Sequence, residues 1–411
     1  MIKASDSPVT TTAPLAGVIV LDLGQIYQGP YCGFLLAMAG ATVIKIEPPG
    51  GEPIRARRQS AMPLAMLNAN KLGITLDLKS ETGRDRLLEL VDRADVLLEN
   101  FAPGVMERLG LGAAGLLERN PRLIYASATG YGSWGPDRDR LAMDLTIQAT
   151  SGAMSVTGYP DKPPVKAGPA VADFLGGVHL YGAITTALYE RSHTGRGRVV
   201  EIAMQDTLIP AMASNLQLYY ENPEGEARVG NRHGALAMAP YNTYRALDGY
   251  VAIMCVTDVH WRALCKAMGR MELGLDPAWA THEARCRDIE ATDALVEAWT
   301  AQYTREALTD MAQRWHFPCA PVRSLREVVH DPHLHARGML HPVRHPLLGE
   351  IVLPGSPLRF GGLTPEPPSP EPGLGEHNDV ILALLDAVRS THPPHRPDAP
   401  AEGSPSASAN C

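Results

Sequence analysis

Cysteine is scarce in this sequence, and the cysteines that occur are scattered. The 411 residues include 6 cysteines and no C-x-x-C pair, which argues against a disulfide framework or a cysteine zinc site. Basic residues are outnumbered, with 37 Lys and Arg against 45 Asp and Glu, so the net charge of −8 provides no general attraction for nucleic acid. We therefore expect reduced cysteines, as in a cytoplasmic protein, and no nucleic-acid partner.

Long hydrophobic segments are also missing. The longest apolar stretch, residues 33–44, is shorter than the roughly 20 residues that span a bilayer. Residues 1–16 are polar and do not show the charged and then apolar pattern of a secretory signal. We therefore expect no membrane partner and a cytoplasmic location.

The motifs of several enzyme mechanisms are missing or stand in the wrong context. The sequence contains no G-x-x-x-x-G-K-[ST], no H-E-x-x-H and no G-x-S-x-G. Its G-x-G-x-x-G match, residues 110–115, follows a predicted helix rather than a strand, which disfavours dinucleotide binding. Histidines at residues 330–345 lack cysteine or acidic partners at ligand spacing. We expect no metal and no permanently bound cofactor.

The first half of the chain alternates between strand-like and helix-like segments. Apolar runs predict strands at residues 18–23, 42–46, 95–100 and 123–127, and helical spacing predicts helices at 29–39, 83–93, 105–109 and 113–119. This alternation predicts an α/β fold with a Rossmann-like large domain, in which helices cover a mostly parallel sheet. Ligands bind beyond the carboxyl ends of such strands, so Asn100-Phe101 and residues 129–132 are candidate edges of a site.

The second half predicts a smaller α+β domain and a return segment. A helix at 208–220 precedes a polar linker at 221–226, a strand at 250–255 and helices at 261–268, 291–303 and 305–315. We therefore divide the chain into a large domain (1–224), a small domain (225–323), a segment that returns to the large domain (324–390) and a tail (391–411). The return segment ends in a predicted helix at 378–388, and the Pro/Ser/Ala-rich tail is predicted to be disordered.

One acidic residue, Asp173, stands at an unusual junction. It ends a short strand-like apolar run, and the paired glycines Gly176 and Gly177 and a helical pattern at 178–189 follow. A carboxylate near a helix N-terminus is favoured by the backbone N–H groups and the helix dipole. The local sequence leaves two roles open for Asp173, a helix N-cap or a functional anion.

Segments spread over residues 14–388 together resemble the class III CoA-transferase family of the CaiB/BaiF type. The resemblance is carried by P-L-A-G-V-I-V-L-D at 14–22, Q-G-P at 28–30, G-A-T-V-I-K-I-E-P-P-G-G at 40–51, N-A-N-K at 68–71, D-V-L-L-E-N-F-A-P-G at 95–104, N-P-R-L-I-Y at 120–125 and T-G-R-G-R at 194–198.

The resemblance implies a covalent mechanism at Asp173. In this family an aspartate at that position accepts the acyl group as an anhydride and then CoA as a thioester, so that the activation of the thioester is kept. The implied co-substrate is coenzyme A, and the implied partners are acyl-CoA and small carboxylic acids. Gln28 matches a polar residue near the catalytic carbonyl. Backbone N–H groups near Gly176 and Gly177, or in a loop of the small domain, are candidates for stabilising the oxyanion.

The resemblance also implies CoA contacts and a homodimer. Lys71 and Arg108 match basic positions that meet the nucleotide phosphates, and Asn100 and Phe101 match residues that line the CoA channel. The alternative roles are a surface ion pair, a turn asparagine and a core phenylalanine. Family members form ring-shaped subunits in an interlocked homodimer, with the active site between the large domain of one subunit and the small domain of the other.

Two departures from the family pattern bear on the substrate. The glycine run of formyl-CoA transferases is missing at residues 230–241, which disfavours a formyl and oxalate pair and makes Arg232, His233 and Tyr241 candidate substrate contacts. Related α-methylacyl-CoA racemases carry a histidine where Met143 stands, and a thioether cannot transfer protons.

The sequence is compatible with three functions. The first is CoA transfer between two acids. The second is racemisation, or CoA transfer within one molecule, on the same fold. The third is acyl-CoA binding without catalysis. The sequence does not rank the donor acyl-CoA or the acceptor acid.

Overall fold

The structure, a computed structural model, describes residues 12–364 and 366–383, apart from the side chain of residue 58. The predicted disordered tail at 391–411 lies outside these residues. Residues 378–383 are helical, and the remainder of the predicted last helix also lies outside the described part.

Six strands of the described chain form one sheet in which every neighbouring pair is parallel. Their order is β3-β2-β1-β4-β5-β6, so the connections reverse direction between β1 and β4, as in doubly wound folds. The Rossmann-like α/β prediction is therefore confirmed for this sheet. The strands are β1 Ile19–Asp22, β2 Thr42–Glu47, β3 Leu72–Thr75, β4 Val96–Glu99, β5 Ile124–Thr129 and β6 Val199–Ala203.

Helices cover both faces of the sheet because successive strand residues point to opposite sides. Val20 packs with Leu36 and Leu180 on one face, whereas its neighbour Leu21 belongs to the core that contains Leu87 on the other. The helices of this part are α1 Gln28–Met38, α2 Ala61–Leu67, α3 Glu81–Val91, α4 Val105–Arg108, α5 Ala113–Arg119, α6 Asp144–Thr150, α7 Val171–Thr194, α8 Met204–Leu208 and α9 Ala213–Glu221.

Two helix predictions are wrong in their bounds. The predicted helix at 208–220 is divided into α8 and α9 by a short turn that starts at Pro210, since proline cannot continue the backbone hydrogen bonds of a helix. The long helix α7 begins at Val171, seven residues before its predicted start, and ends at Gly195 with φ 70°. The strand-like run before Asp173 is therefore not a strand.

The length of α7 makes it unusual among the described helices. Its 24 residues are long and apolar enough to cross a bilayer by composition. In this fold Leu180 and Ile184 are fully buried in the core that it shares with α1 and the sheet. The helix is thus a layer of the large domain.

Residues 241–321 form a separate antiparallel sheet with its own core. The strand order is β7-β8-β9, and Trp261, Val296 and Leu308 are fully buried beneath it. The elements are β7 Tyr241–Ala246, β8 Gly249–Met254, α10 Asp258–Ala267, α11 His282–Arg287, α12 Ile289–Thr300, α13 Arg305–Trp315 and β9 Cys319–Pro321. The predicted strand at 250–255 and the three predicted helices correspond to β8, α10, α12 and α13.

After β9 the chain comes back to the large domain. The Asn378 side chain accepts the N–H of Thr75 at 2.9 Å, and Ile381 packs into the core that contains Leu21. The elements on the way are α14 Leu325–Val329, α15 Pro332–Ala336 and the hairpin of β10 Leu340–His345 with β11 Gly349–Pro354.

Candidate active site

Asp173 is the third residue of α7 and not its N-cap. The N-cap position belongs to Ala170, whose methyl side chain cannot accept a hydrogen bond from the helix. Asp144, the first residue of α6, supplies the cap instead. Its Oδ1 accepts the N–H groups of Ala172 at 2.8 Å and of Asp173 at 3.3 Å. The N-cap interpretation of Asp173 is therefore wrong, and the carboxylate side chain of Asp173 remains available for another role.

The Asp173 side chain lines a cavity of about 310 Å³ at the carboxyl edge of the parallel sheet. Gln25 and Ile26 follow β1, whereas Asn100 follows β4, so the cavity lies where the strand order reverses. The structure thus brings to the cavity that contains Asp173 the predicted strand end Asn100-Phe101 and, from the predicted strand end at 129–132, Thr129 and Gly130.

The surroundings of Asp173 disfavour its charged form. The residue is 9% exposed, and burial together with the nearby Asp144 carboxylate raises the pKa of Asp173 to about 7. The expectation that the helix N-terminus would favour the anion is wrong, because the first-turn N–H groups are already bonded to Asp144 and, from Phe174, to the Ala170 carbonyl.

Tyr27 is a neighbour of Asp173 that the sequence did not reveal. Burial and the charge of Asp173 both raise the pKa of Tyr27, and its ring lies 6.2 Å from the ring of Phe174. Tyr27 stands at the N-cap of α1 but makes no side-chain hydrogen bond to that helix. The N-terminus of α1 and the N-terminus of α7 therefore meet at the candidate site.

Gln28 carries a buried amide without a partner. The residue is 2% exposed and opens α1, and its Nε2 has no hydrogen-bond partner among the described residues. The backbone N–H groups of Gln28 and Gly29 also lack a partner within α1, whereas Pro30 has no N–H and the Tyr31 N–H donates to the Tyr27 carbonyl at 2.8 Å. Unpaired buried donors beside a carboxylate are suited to bind an oxygen that becomes negatively charged.

Gly176 and Gly177 have a role different from the predicted one. Both lie inside α7, where backbone N–H groups bond along the helix, so they are not free to bind an oxyanion. A Cβ atom on Gly176 would lie 2.6 Å from the Gln28 Nε2, and one on Gly177 would lie 2.8 Å from the Gln28 carbonyl oxygen. The two glycines instead let α1 approach α7 closely. The Gln28 amide therefore lies against α7 at Gly176, about one helical turn beyond Asp173.

Asn100 and Phe101 border the cavity as the sequence analysis expected, but the Asn100 amide is already occupied. Its Oδ1 accepts the N–H of Gln25 at 2.7 Å, and its Nδ2 donates to the Gln25 carbonyl at 2.9 Å. Asn100 thereby fixes the segment that leads into α1. Phe101 is half-buried in the cavity wall.

The prediction that Lys71 meets a CoA phosphate is wrong. Its side chain is fully buried, and its Nζ donates to the Asp22 Oδ2 at 2.6 Å, to the Pro30 carbonyl at 2.9 Å and to the Asn68 Oδ1 at 3.0 Å. A phosphate has no access to an ammonium group in this position. Arg108, by contrast, is exposed at the end of α4, and its role in phosphate binding stays a prediction.

The candidate substrate residues of the small domain lie outside the lining of the Asp173 cavity in the same chain. The Arg232 Nε donates to Asp293 at 2.9 Å, and Asp293 also accepts from the Tyr244 hydroxyl at 2.7 Å. The His233 ring meets the Tyr241 ring edge-on at 5.5 Å. Arg232, His233 and Tyr241 are not among the described residues that line the Asp173 cavity.

The parallel sheet and the buried carboxylate at its reversal point define an α/β enzyme site. The chain belongs to the CoA-transferase family III, whose model matches residues 15–378, and it is a CoA-transferase. It is 36% identical over 395 residues to a formyl-CoA:oxalate CoA-transferase of Streptomyces coelicolor. The alignment covers 90% of this chain and 95% of the relative.

Two further relatives support this membership. A succinyl-CoA:mesaconate CoA-transferase of Haloarcula hispanica is 36% identical over 377 residues, which cover 88% of this chain and 94% of the relative. A solved CaiB/BaiF family protein from Brucella suis has a TM-score of 0.80 and 34% identity, covering 91% of this chain and 100% of that structure. The resemblance stated from the sequence motifs is thus confirmed.

Proposed function

We propose that Asp173 is the nucleophile with which this CoA-transferase moves CoA from an acyl-CoA to a free carboxylic acid. The observation that carries the proposal is a buried carboxylate in the cavity at the sheet reversal, beside the unpaired amide of Gln28. The Asp173 carboxylate attacks the thioester carbonyl, the C–S bond breaks, and CoA leaves as the thiolate. An acyl-aspartyl anhydride remains, and it keeps the acyl group activated.

The remaining steps return the enzyme to its starting state. The CoA thiolate attacks the aspartyl carbonyl of the anhydride, so the donor acid leaves as its carboxylate and an aspartyl-CoA thioester forms. The acceptor carboxylate attacks this thioester and releases the thiolate. The thiolate then attacks the acceptor carbonyl of the new anhydride, which yields the product acyl-CoA and frees the Asp173 carboxylate.

Burial serves this chemistry in two ways. Each covalent intermediate can be hydrolysed, so a nucleophile that is 9% exposed is protected from water. A pKa of about 7 leaves a large fraction of Asp173 ionised at neutral pH and makes that anion a stronger nucleophile than an ordinary carboxylate. In this proposal the oxyanion of each tetrahedral intermediate is bound by the Gln28 side-chain amide and the backbone N–H groups of Gln28 and Gly29.

The proposed substrates are a CoA thioester and a short dicarboxylic acid. The names of similar proteins include oxalate, mesaconate and D-citramalate as acids, with formyl, acetyl or succinyl groups on CoA. Arg108 and Phe101 remain candidates for holding CoA. Because the Nε of Arg232 is fixed by Asp293, the rest of its guanidinium is a candidate for binding the second carboxylate of the acid.

We further propose an interlocked homodimer of ring-shaped subunits in the cytoplasm. The return of the chain to the large domain, through Asn378 and Ile381, supports a ring. Because Arg232, His233 and Tyr241 are not among the described residues that line the Asp173 cavity, we propose that the small domain of a second copy completes the site. The scattered cysteines support a reducing compartment.

The activity is tested by incubating the purified protein with succinyl-, acetyl- or formyl-CoA and a panel of short acids, and identifying new CoA thioesters by mass spectrometry. We expect at least one dicarboxylic acid to receive CoA, and we expect the D173A variant to produce none while it still binds CoA. Proton exchange at the α-carbon without any acceptor acid would instead indicate racemisation.

A further inference from the structure

The segment that joins β1 to α1 is held by four buried charged residues. Asp22, Lys45, Glu52 and Lys71, here called the buried tetrad, are each at most 4% exposed. They form two ion pairs, Lys71 Nζ to Asp22 Oδ2 at 2.6 Å and Lys45 Nζ to Glu52 Oε1 at 3.0 Å. The covalent mechanism uses none of these four groups.

Each member of the tetrad also bonds the backbone of residues 24–30. The Asp22 Oδ1 accepts the Gly24 N–H at 2.8 Å, and the Glu52 Oε2 accepts the Ile26 N–H at 2.9 Å. The Lys45 Nζ donates to the Gly24 carbonyl, and the Lys71 Nζ donates to the Pro30 carbonyl at 2.9 Å. The two bonds of Asn100 to Gln25 add to this set. The backbone that enters α1 is therefore fixed from several sides.

Ile26 is the strained point of this segment. Its φ is 67°, in the left-handed region that a β-branched residue strongly disfavours. Ile26 lines the cavity of Asp173 and stands two residues before Gln28. A strained backbone at such a place persists only where the surroundings hold it, and Glu52 supplies the acceptor for the Ile26 N–H.

Buried ion pairs are weak evidence for stability, because taking two charges out of water costs about as much as their attraction returns. Their contribution here is geometric. The Glu52 Oε1 lies 3.0 Å from the Lys45 Nζ as an ion pair without hydrogen-bond geometry, and Oε2 accepts the Ile26 N–H, so the charge of Lys45 holds the carboxylate beside Ile26.

We infer that Glu52 is a positioning residue of the transferase. By holding Ile26 in the left-handed conformation, with Lys45 as its counter-ion, Glu52 sets the first turn of α1 and thereby aims the Gln28 amide at the reaction centre beside Asp173. This inference rests on the proposed roles of Asp173 and Gln28.

A matched pair of double variants separates positioning from stability. K45M/E52Q removes both charges and keeps a side-chain acceptor for the Ile26 N–H, whereas K45M/E52M removes the acceptor with a side chain of similar size. We expect similar thermal unfolding of the two proteins. We expect kcat of K45M/E52M to be about 10–100-fold lower than that of K45M/E52Q, with KM for acyl-CoA changed by less than about threefold.

A rescue experiment tests the strained residue directly. Glycine adopts φ > 0 without strain, whereas alanine does not. Adding I26G to K45M/E52M should therefore restore at least about a third of the lost kcat, and adding I26A should not. Equal kcat values for the two double variants, or equal rescue by I26G and I26A, would overturn the inference.

If the double variants do not fold, E52D replaces them, because it keeps the negative charge that Lys45 balances but shortens the side chain that reaches the Ile26 N–H. A fall in kcat of E52D with unchanged KM supports positioning, and an unchanged kcat contradicts it. Failure of the proposed function is recognised separately. In that case even the unsubstituted enzyme, with Glu52 in place, would form no hydroxylamine-sensitive adduct with acyl-CoA.

Discussion

At the scale of single residues, the account depends on the ionisation of Asp173. A buried carboxyl group beside a second carboxylate resists ionisation, and this raises the pKa of Asp173 to about 7. The same Asp144 carboxylate that contributes to this shift also caps α7. One side chain therefore positions the nucleophile and adjusts its charge.

This arrangement predicts the pH dependence of acylation. Only the ionised carboxylate attacks the thioester, so the single-turnover rate of adduct formation should rise with pH and level off above about pH 7. In D144N the amide oxygen still accepts the Ala172 N–H, but the negative charge is gone. The midpoint should therefore move to lower pH. An unshifted midpoint in D144N would show that Asp144 does not influence the titrating group.

Asp173 also predicts a pH-dependent cost to stability. Its folded pKa of about 7 lies above the ordinary value of 3.8, so the folded state binds more protons between these values and loses stability as pH rises through them. D173N avoids this cost. We expect its free energy of unfolding in urea to exceed that of the unsubstituted protein by on the order of 2 kcal/mol at pH 8 and to be nearly equal at pH 4. If D173N is no more stable than the unsubstituted protein at pH 8, the raised pKa of Asp173 is contradicted.

At the scale of elements, the closeness of α1 to α7 decides where the Gln28 amide stands. Gly176 leaves room for the Gln28 side chain, because a Cβ there would lie 2.6 Å from the Gln28 Nε2 and 3.0 Å from its Cγ. Gly182 lies in the same helix, and a Cβ there would have no heavy atom within 4 Å. The two glycines are thus a matched pair, one in the contact and one outside it.

We predict opposite effects of alanine at these two positions. G176A displaces the Gln28 side chain from its place beside α7, so kcat should fall at least about tenfold and the protein should lose about 1–3 kcal/mol of stability. G182A should keep kcat and gain up to about 1 kcal/mol, because alanine favours the helix more than glycine does. Urea unfolding and steady-state kinetics measure both quantities. If G176A and G182A change kcat and stability equally, Gly176 has no special packing role.

Elements were predictable from the sequence where a local pattern defines them. The apolar runs of β1, β2, β4 and β5 were recognised, whereas the four-residue β3 with its internal glycine and the five-residue β6, interrupted by Glu201, were missed. The start of α7 was missed because its cap, Asp144, stands 29 residues before Asp173 in the chain. No local signal records a cap supplied from another helix.

The same limit applied to the site. Motif positions indicated Asp173 and Gln28, which the structure places in one cavity. The roles given to Lys71, Gly176 and Gly177 were wrong, because each depends on burial and packing rather than on the kind of residue. Tyr27 and Glu52 were missed, since only the three-dimensional contacts connect them with the nucleophile.

At the scale of the whole molecule, the proposed dimer makes each site from two subunits. Asp173 would come from the large domain of one copy and Arg232 from the small domain of the other. A homodimer of either D173A or R232A therefore has no intact site. A heterodimer that carries one variant in each chain has one intact site and one site with both substitutions.

Co-expression with two affinity tags tests this arrangement. We expect the D173A and R232A homodimers to be inactive and the doubly purified heterodimer to show about half of the unsubstituted activity per dimer. A heterodimer as inactive as its parents would mean that Asp173 and Arg232 act within one chain.

The central claim, that Asp173 carries the acyl group and then CoA, is tested most directly by trapping the intermediate. The enzyme is incubated with the acyl-CoA that it uses, treated with hydroxylamine and digested for peptide mass spectrometry. We predict a hydroxamate on Asp173, dependent on acyl-CoA and absent from D173N. An enzyme that turns over without modification of Asp173, or with the hydroxamate on another carboxylate, would contradict the account.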